Sequence, residues 1–461
     1  MLKFQKYFWV LVVFFASFVS VYHFQTNPGF WFDEGIISQV ARNLALNGVY
    51  GIQTSPGFFY SNNFWVTTGY PVVFPVSFFI NFFGVSIWVA RIAPFAYLIL
   101  FILVSYVFLK KLYGFYPAIL GIMLISTFPP FYGNGKAVLG EIPGLFWFMF
   151  GCFLYVLYKE KQQNSLFYAS ALAWGVSIAT KPYFVLIIPG IMFLFLYSYF
   201  KDKIPHLRQF VIFSAVFSLP IFIWFFWAFD WNSSQNLSAT FSYFLNSYGV
   251  SSFEPLENLF RFVSESTPIH FAILALVVFV SYFISFKKRN KIPEIISVIL
   301  IFVFLTFLWY LKTPGWYRYF FPAHIMVLLL FPQAIGSIIN RMASHIVVIT
   351  LILFQAGFLY VNYDNFFGND AILLQKYIAE NISDSASIFI DSLPEVGFVL
   401  NRGNTYQYIF INEKFSIGEK QGNLDTDYLI TNSIKDYVEK YILMKEIGHY
   451  KIYKYKEDVI N

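Results

Sequence analysis

From Tyr7 to Val361 the sequence is a series of long apolar runs separated by short charged connections, a pattern that leaves few folds open. A bilayer core takes roughly 20 helical residues to cross. Inside it every backbone N–H and C=O must be satisfied within the segment, so such runs are expected to be helices. Eleven spans are expected, at Tyr7–Phe24, Ile87–Leu109, Tyr116–Tyr132, Ile142–Tyr158, Leu166–Ala179, Tyr183–Phe200, Phe210–Phe229, Ile269–Phe286, Ile295–Leu311, Phe320–Ile335 and Ile346–Val361. The run Pro71–Phe83 is short for a crossing, and counting it would spoil the alternation of charge between connections, so it is expected to lie flat or re-entrant at the outer surface. The first run lacks a small-residue cleavage site and reads as a retained helix rather than a signal peptide.

Composition confirms the class. Of 461 residues 58% are hydrophobic and 12% charged, about half the charge of a soluble domain. The one cysteine, Cys152, excludes an internal disulfide. The net charge of +6 matters for where it falls. Lys3, Lys6, Lys110, Lys111, Lys159, Lys161, Lys201, Lys203, Arg208, the run from Lys287 to Lys291 and Arg341 all lie on one side of the expected topology. The positive-inside rule makes that side cytoplasmic, with the first residue inside and the last outside. These cations answer to membrane lipids and imply no nucleic acid. Frequent Lys, Ile, Asn and Phe fit an AT-rich prokaryotic gene and a plasma-membrane home.

Near Asp364 charge rises and the apolar runs stop. DAILLQKYIAENI reads as a helix, SIFID, QYIFI, DYLIT and YKIYKY as strands, with another helix near Ile434–Tyr441. The expected organisation is a membrane domain over 1–363, with a long outer loop at 25–86 carrying juxtamembrane helices, and a small extracytoplasmic α/β domain over 364–461.

The outer connections gather charge beside hydrocarbon, where it is costly and marks function. They hold Asp33 and Glu34 in FWFDEGIISQ, Lys136 and Glu141 in GNGKAVLGEIPG, Lys181 in the ATKP turn, and Lys312, Tyr317 and Arg318 in LKTPGWYRYFFP. Structural readings stand beside the functional ones. Glu34 would suit the N-terminus of a helix beginning near Ile36, and Glu141 one beginning at Ile142-Pro143. Lys181 and Arg318 would serve as snorkelling interface cations. Arg318, between Tyr317 and Tyr319, suits phosphate best, because its guanidinium fork matches that geometry. His270 and His324 read as lone histidines that pack or hydrogen-bond rather than bind metal. Asp33, Glu34 and Glu141 together offer hard oxygen ligands for a possible divalent cation.

In order and spacing, these segments resemble GT-C glycosyltransferases of the protein O-mannosyltransferase and lipid A aminoarabinose transferase type. The resemblance rests on aromatic-Asp33-Glu34, the run GYPVVFPVSFFINFFGVSIWVARIAP, KAVLGEIP, ATKP and RYFFP. Two departures stand out: Gly35-Ile36-Ile37 replaces a His-containing stretch, and Lys136 stands where bacterial relatives often carry Arg. The resemblance implies a GT-C fold and a polyprenyl-phosphate sugar as donor, with lipid, glycan or protein as acceptor. It also implies Asp33 as general base with Glu34 and Glu141 in support, and Arg318, Lys181, Lys136, Lys312 and Tyr317 toward donor phosphate. Such a leaving group needs no general acid, and a single displacement inverts the anomeric carbon. The alternative is a lipid or sugar transporter or flippase. Such proteins place charge at mid-membrane between repeated halves, whereas here charge collects at one face and no halves repeat.

Overall fold

The computed structural model describes residues 7–60, 68–202, 207–228, 255–287, 293–412, 415–417, 426–432 and 440–456. Its helical part comprises α1 (Phe8–Val21), α2 (Phe32–Asn47), α3 (Tyr70–Phe83), α4 (Ile87–Tyr113), α5 (Phe115–Ser126), α6 (Pro129–Gly135), α7 (Glu141–Lys161), α8 (Asn164–Thr180), α9 (Ile188–Asp202), α10 (Leu207–Ala228), α11 (Pro255–Ser264), α12 (Ser266–Lys287), α13 (Glu294–Tyr310), α14 (Phe321–Ile338) and α15 (Arg341–Asn362). Each expected span overlaps one of these helices, except that Tyr116–Tyr132 is divided between α5 and α6, bent by 69°, and Tyr183–Phe200 opens in a 3-10 turn, Pro182–Ile187, before α9. The break falls at Phe128, which precedes Pro129-Pro130. A following proline excludes the α region, and Phe128 is extended, at φ −85° and ψ 112°.

Length and hydropathy qualify seven helices among the described residues as crossings, or eight with the bent pair, against the eleven expected. The apolar helices α1, with 14 residues, and α13, with 17, fall short of a bilayer core's thickness. Helix α3 buries Val72, Val73, Val76 and Ile80 and exposes Phe78, Phe82 and Phe83. A single helix with one inward stripe and one bare aromatic face replaces the undefined run of the sequence reading.

Helix α4 sets the scale of the bundle. Its 27 residues extend about 40 Å. Ser86 caps its start, accepting a hydrogen bond from the Val89 amide at 3.2 Å. Lys110 and Lys111 occupy its last turn, the favourable end of the dipole for cations. Lys111 pairs with Glu160 there, and Lys159 and Lys201 pair with Glu294. Arg91, in the first turns of the same helix, meets Glu34 of the first outer loop. The two charged zones therefore lie at opposite ends of the bundle. Between them Phe101, Phe131, Phe148, Trp174, Phe184 and Phe302 pack an aromatic core.

The C-terminal part contains α16 (Asp370–Asn381), β3 (Ser387–Asp391), α17 (Pro394–Val399), β4 (Thr405–Asn412), β5 (Phe415–Ile417), β6 (Tyr428–Thr431), β7 (Tyr441–Ile447) and β8 (Tyr450–Tyr455), with a hairpin of β1 (Ile52–Ser55) and β2 (Phe58–Tyr60) in the first loop. The six strands are ordered β5-β4-β3-β6-β8-β7. The central β4, β3 and β6 are parallel and the flanking strands antiparallel. Alternation along β3 sends Ile388 and Ile390 to one face and Phe389 to the other. The expected helix near Ile434–Tyr441 lies outside the described residues save its end, where Tyr441 opens β7. The core of this part is shared: Phe30, Ile37 and Val40 join Val396, Phe398 and Tyr406 in one cluster.

Candidate active site

Helix α2 begins at Phe32, four residues earlier than expected, which puts Asp33 and Glu34 in its first turn. Successive residues on a helix point about 100° apart, and the two carboxylates go to different partners. Glu34 turns inward. Arg91 Nε donates to its Oε1 at 2.8 Å and Nη2 to its Oε2 at 2.6 Å, with both side chains fully buried. The Val138 amide adds a bond to Oε1 at 3.1 Å, and Arg91 Nη1 donates to the Phe24 carbonyl at 2.7 Å. Two buried charges are tolerable only when paired and hydrogen-bonded in this way. The pair fixes the start of α2 to α4 and to the loop before α7.

Asp33 turns toward the rim and forms an ion pair with Arg318. The guanidinium lies in an aromatic ring, 4.8 Å from Trp316, 5.1 Å from Tyr319 and 5.6 Å from Trp31. Tyr319 accepts from its Nη2 at 3.1 Å. The turn presenting Arg318 is anchored by donors from α11 and from the end of α13. Gly315 adopts φ 75°, open to glycine at no steric cost, and its carbonyl accepts from Tyr310 at 2.9 Å and Arg261 at 3.1 Å. Asn258 donates to the Thr313 carbonyl at 2.7 Å.

Glu141 opens α7, one residue before the expected Ile142. It faces Lys181, whose Nζ is 2.9 Å from Oε1, with both groups buried. The approach is close because residue 140 has no side chain: a Cβ there would stand 2.9 Å from Lys181 Cδ. Lys136 is buried between α1 and α15, donating to Tyr363 Oη at 3.2 Å and the Tyr22 carbonyl at 3.5 Å. Desolvation, reinforced by the charge of Arg91 and opposed by Glu34, pushes its ammonium down to about 7.

The Lys136 shift makes stability depend on pH. Between about 7 and the ordinary 10.5, the unfolded chain holds a proton that the folded chain releases, so stability rises with pH across that window. Thermal unfolding of detergent-solubilised protein should gain more between pH 7 and 10 in the wild type than in Lys136→Met. Parallel profiles for the two would show that Lys136 is solvated in the folded state.

The structure thus brings Asp33, Glu34, Glu141, Lys136, Lys181 and Arg318 to one end of the bundle. It leaves Lys312 exposed, and Lys312 makes no ion pair among the described residues. Tyr317 turns away from Arg318 toward His324, with Oη and Nδ1 3.1 Å apart. The two histidines, expected to pack or hydrogen-bond singly, face each other: His324 Nε2 and His270 Nδ1 lie 2.9 Å apart. The possible divalent-cation cage of Asp33, Glu34 and Glu141 is not formed. Each acid faces its own cation, and no three His, Cys, Asp or Glu residues among those described gather as metal ligands. Arg91 is the residue the sequence reading passed over, although a lone arginine in the apolar run VARIAP requires a buried partner. Gly35 was likewise read only as a departure from pattern. A Cβ there would stand 2.4 Å from Glu395 Cα, so α2 is pressed against α17.

Residues 71–224 match the family model described as dolichyl-phosphate-mannose-protein mannosyltransferase. No curated protein matches the sequence. The crystal structure of ArnT from Cupriavidus metallidurans bound to undecaprenyl phosphate superposes with a TM-score of 0.65 at 11% identity, covering 98% of each chain. Its apo state gives 0.63 at 11% identity, over 96% of this chain and 97% of that one. The Archaeoglobus fulgidus oligosaccharyltransferase in the apo form gives 0.55 at 14% identity, over 87% of this chain and 65% of its own length. These are GT-C glycosyltransferases, and this chain has their fold.

Proposed function

We propose that this GT-C-fold membrane protein is a glycosyltransferase that moves a sugar from a polyprenyl-phosphate donor to an acceptor hydroxyl, with inversion, at the bundle end carrying Asp33. The observation that carries the reading is the contact of Asp33 with Arg318 in an aromatic ring, joining a carboxylate and a phosphate-binding fork 285 residues apart in sequence. Donor phosphate engaging Arg318 competes with Asp33 for the guanidinium and frees the carboxylate. Asp33 then takes the acceptor's proton as its oxygen attacks the anomeric carbon. The bond from that carbon to the phosphate oxygen breaks on the opposite face, and the electron pair leaves with the polyprenyl phosphate. Arg318, with Lys181 and Lys136 at the same end of the bundle, stabilises the negative charge that develops there. No divalent cation is needed in this scheme. Glu34 supports the base by locking the first turn of α2 through Arg91, and Glu141 supports the phosphate side by holding Lys181.

Under the positive-inside rule the lysine-rich opposite end supports a site on the extracytoplasmic side of a plasma membrane. Eleven crossings over residues 1–363, the shorter helices included, and an outer α/β domain over 364–461 complete the proposed topology. The undecaprenyl phosphate of the ArnT structure is one example of the donor's lipid class.

Membranes carrying the protein, given radiolabelled polyprenyl-phosphate sugars, should yield labelled product. Arg318→Ala should weaken donor binding by about 2–5 kcal/mol, the usual cost of truncating a charged hydrogen-bond partner. Arg318→Lys should recover only part, because one ammonium cannot make the bidentate contact. Donor binding by Arg318→Ala equal to wild type would refute the assignment.

A further inference from the structure

Arg318 sits in a short 3-10 turn, Tyr317–Tyr319, and successive residues of such a turn point about 120° apart. Arg318 faces Asp33 on the rim, whereas Tyr317 points back into the bundle. Its hydroxyl lies 3.1 Å from Nδ1 of His324, in the first turns of α14. His324 Nε2 in turn lies 2.9 Å from Nδ1 of His270, in the first turns of α12. One chain of hydrogen bonds therefore runs from the turn to two helices. Aromatic rings hold the imidazoles in place. Phe128 lies 4.7 Å from His324 and 5.9 Å from His270, and Phe320 stacks on His324 at 6.2 Å with 15° between the planes. His324 is fully buried. A neutral imidazole has one N–H and one lone pair, so His324, in the middle of the chain, accepts at one nitrogen and donates at the other. Burying polar rings costs desolvation that apolar packing would avoid. What the two histidines add is direction, because a hydrogen bond fixes an orientation and an apolar contact does not.

We propose that Tyr317, His324 and His270 are positioning residues for the transfer reaction, holding the turn so that Arg318 stands where donor phosphate meets it. This rests on the reading of Arg318 as the phosphate ligand. The three residues act through Arg318 and touch neither donor nor acceptor. With the chain intact, the donor meets a turn that is already ordered. With it cut, only part of the population holds the competent turn, and apparent donor affinity falls by that fraction.

Titration of the full chain in detergent with undecaprenyl phosphate, followed by intrinsic tryptophan fluorescence, tests this. Tyr317→Phe and His270→Leu should each weaken binding roughly 2- to 10-fold, the scale of one uncharged hydrogen bond. Tyr317→Phe keeps the ring and its packing, so it reports even where His270→Leu fails to fold. His270→Asn places an amide where Nδ1 stood and should bind like wild type, a rescue that a merely space-filling role would not give. Combined with Arg318→Ala, Tyr317→Phe should add no further loss, because nothing is left to position. Wild-type binding by Arg318→Ala would remove the phosphate reading and this inference with it. With Arg318→Ala weakened, three results would overturn the inference alone: undiminished binding by Tyr317→Phe, equal losses in His270→Asn and His270→Leu, or a further loss in the double variant.

Discussion

Asparagine in place of Asp33 should lower turnover by roughly 10²–10⁴-fold, the scale of losing a general base, while donor binding stays level or improves. The two expectations come from one contact. The amide keeps the size and hydrogen-bonding capacity of the carboxylate but cannot take a proton. It also competes less for Arg318, the group assigned to donor phosphate. A structural role would give the opposite pattern, with lost protein or lost donor affinity. Measuring transfer at saturating donor beside donor binding separates the two. If Asp33→Asn retains most of its turnover, the base is elsewhere, and Glu141 becomes the next candidate once Lys181 releases it.

Arg91→Ala is the largest stability loss expected from a single change in this chain. It would leave the Glu34 carboxylate fully buried with the Val138 amide as its remaining described donor. Removing one partner of a buried pair costs about 3–5 kcal/mol. Denaturant midpoints in detergent should show it as a sharp drop, with activity falling as the start of α2 loosens. The double variant Glu34→Leu with Arg91→Met should recover much of the loss, since replacing both charges by apolar groups removes the unpaired one. A single variant as stable as wild type would mean that water reaches Glu34.

The membrane helices were legible because apolar runs of near-span length have one low-energy form in lipid. Even the break at Phe128 was written in Pro129-Pro130, though a hydropathy reading smooths over two residues. The loop acids stood out in the sequence because charge beside hydrocarbon is conspicuous. Their partners were not. Glu34 with Arg91 and Asp33 with Arg318 look alike in sequence, and only the helical phase of α2 sends one inward and the other to the rim. The docking of the C-terminal sheet was hidden for another reason. Gln39 and Arg42 read as an ordinary polar face of α2, yet Gln39 donates to Tyr406 Oη at 3.3 Å and Arg42 to the carbonyls of Leu400 and Asn401 at 3.3 Å. Polar residues that meet backbone carbonyls leave no periodic signal.

Arg42 also reaches the Gly397 carbonyl, a bond spanning 355 residues of sequence. The helix that carries Asp33 is therefore finished off by chain made long after it. During synthesis, its polar face waits without a cover while every membrane helix between is threaded into the bilayer. In the proposed topology the corner around Asp33 is completed late in biogenesis, when the sheet has crossed the membrane and closed on α2. A nascent chain halted before residue 397 would sit in the membrane with its helices in place and that corner unfinished.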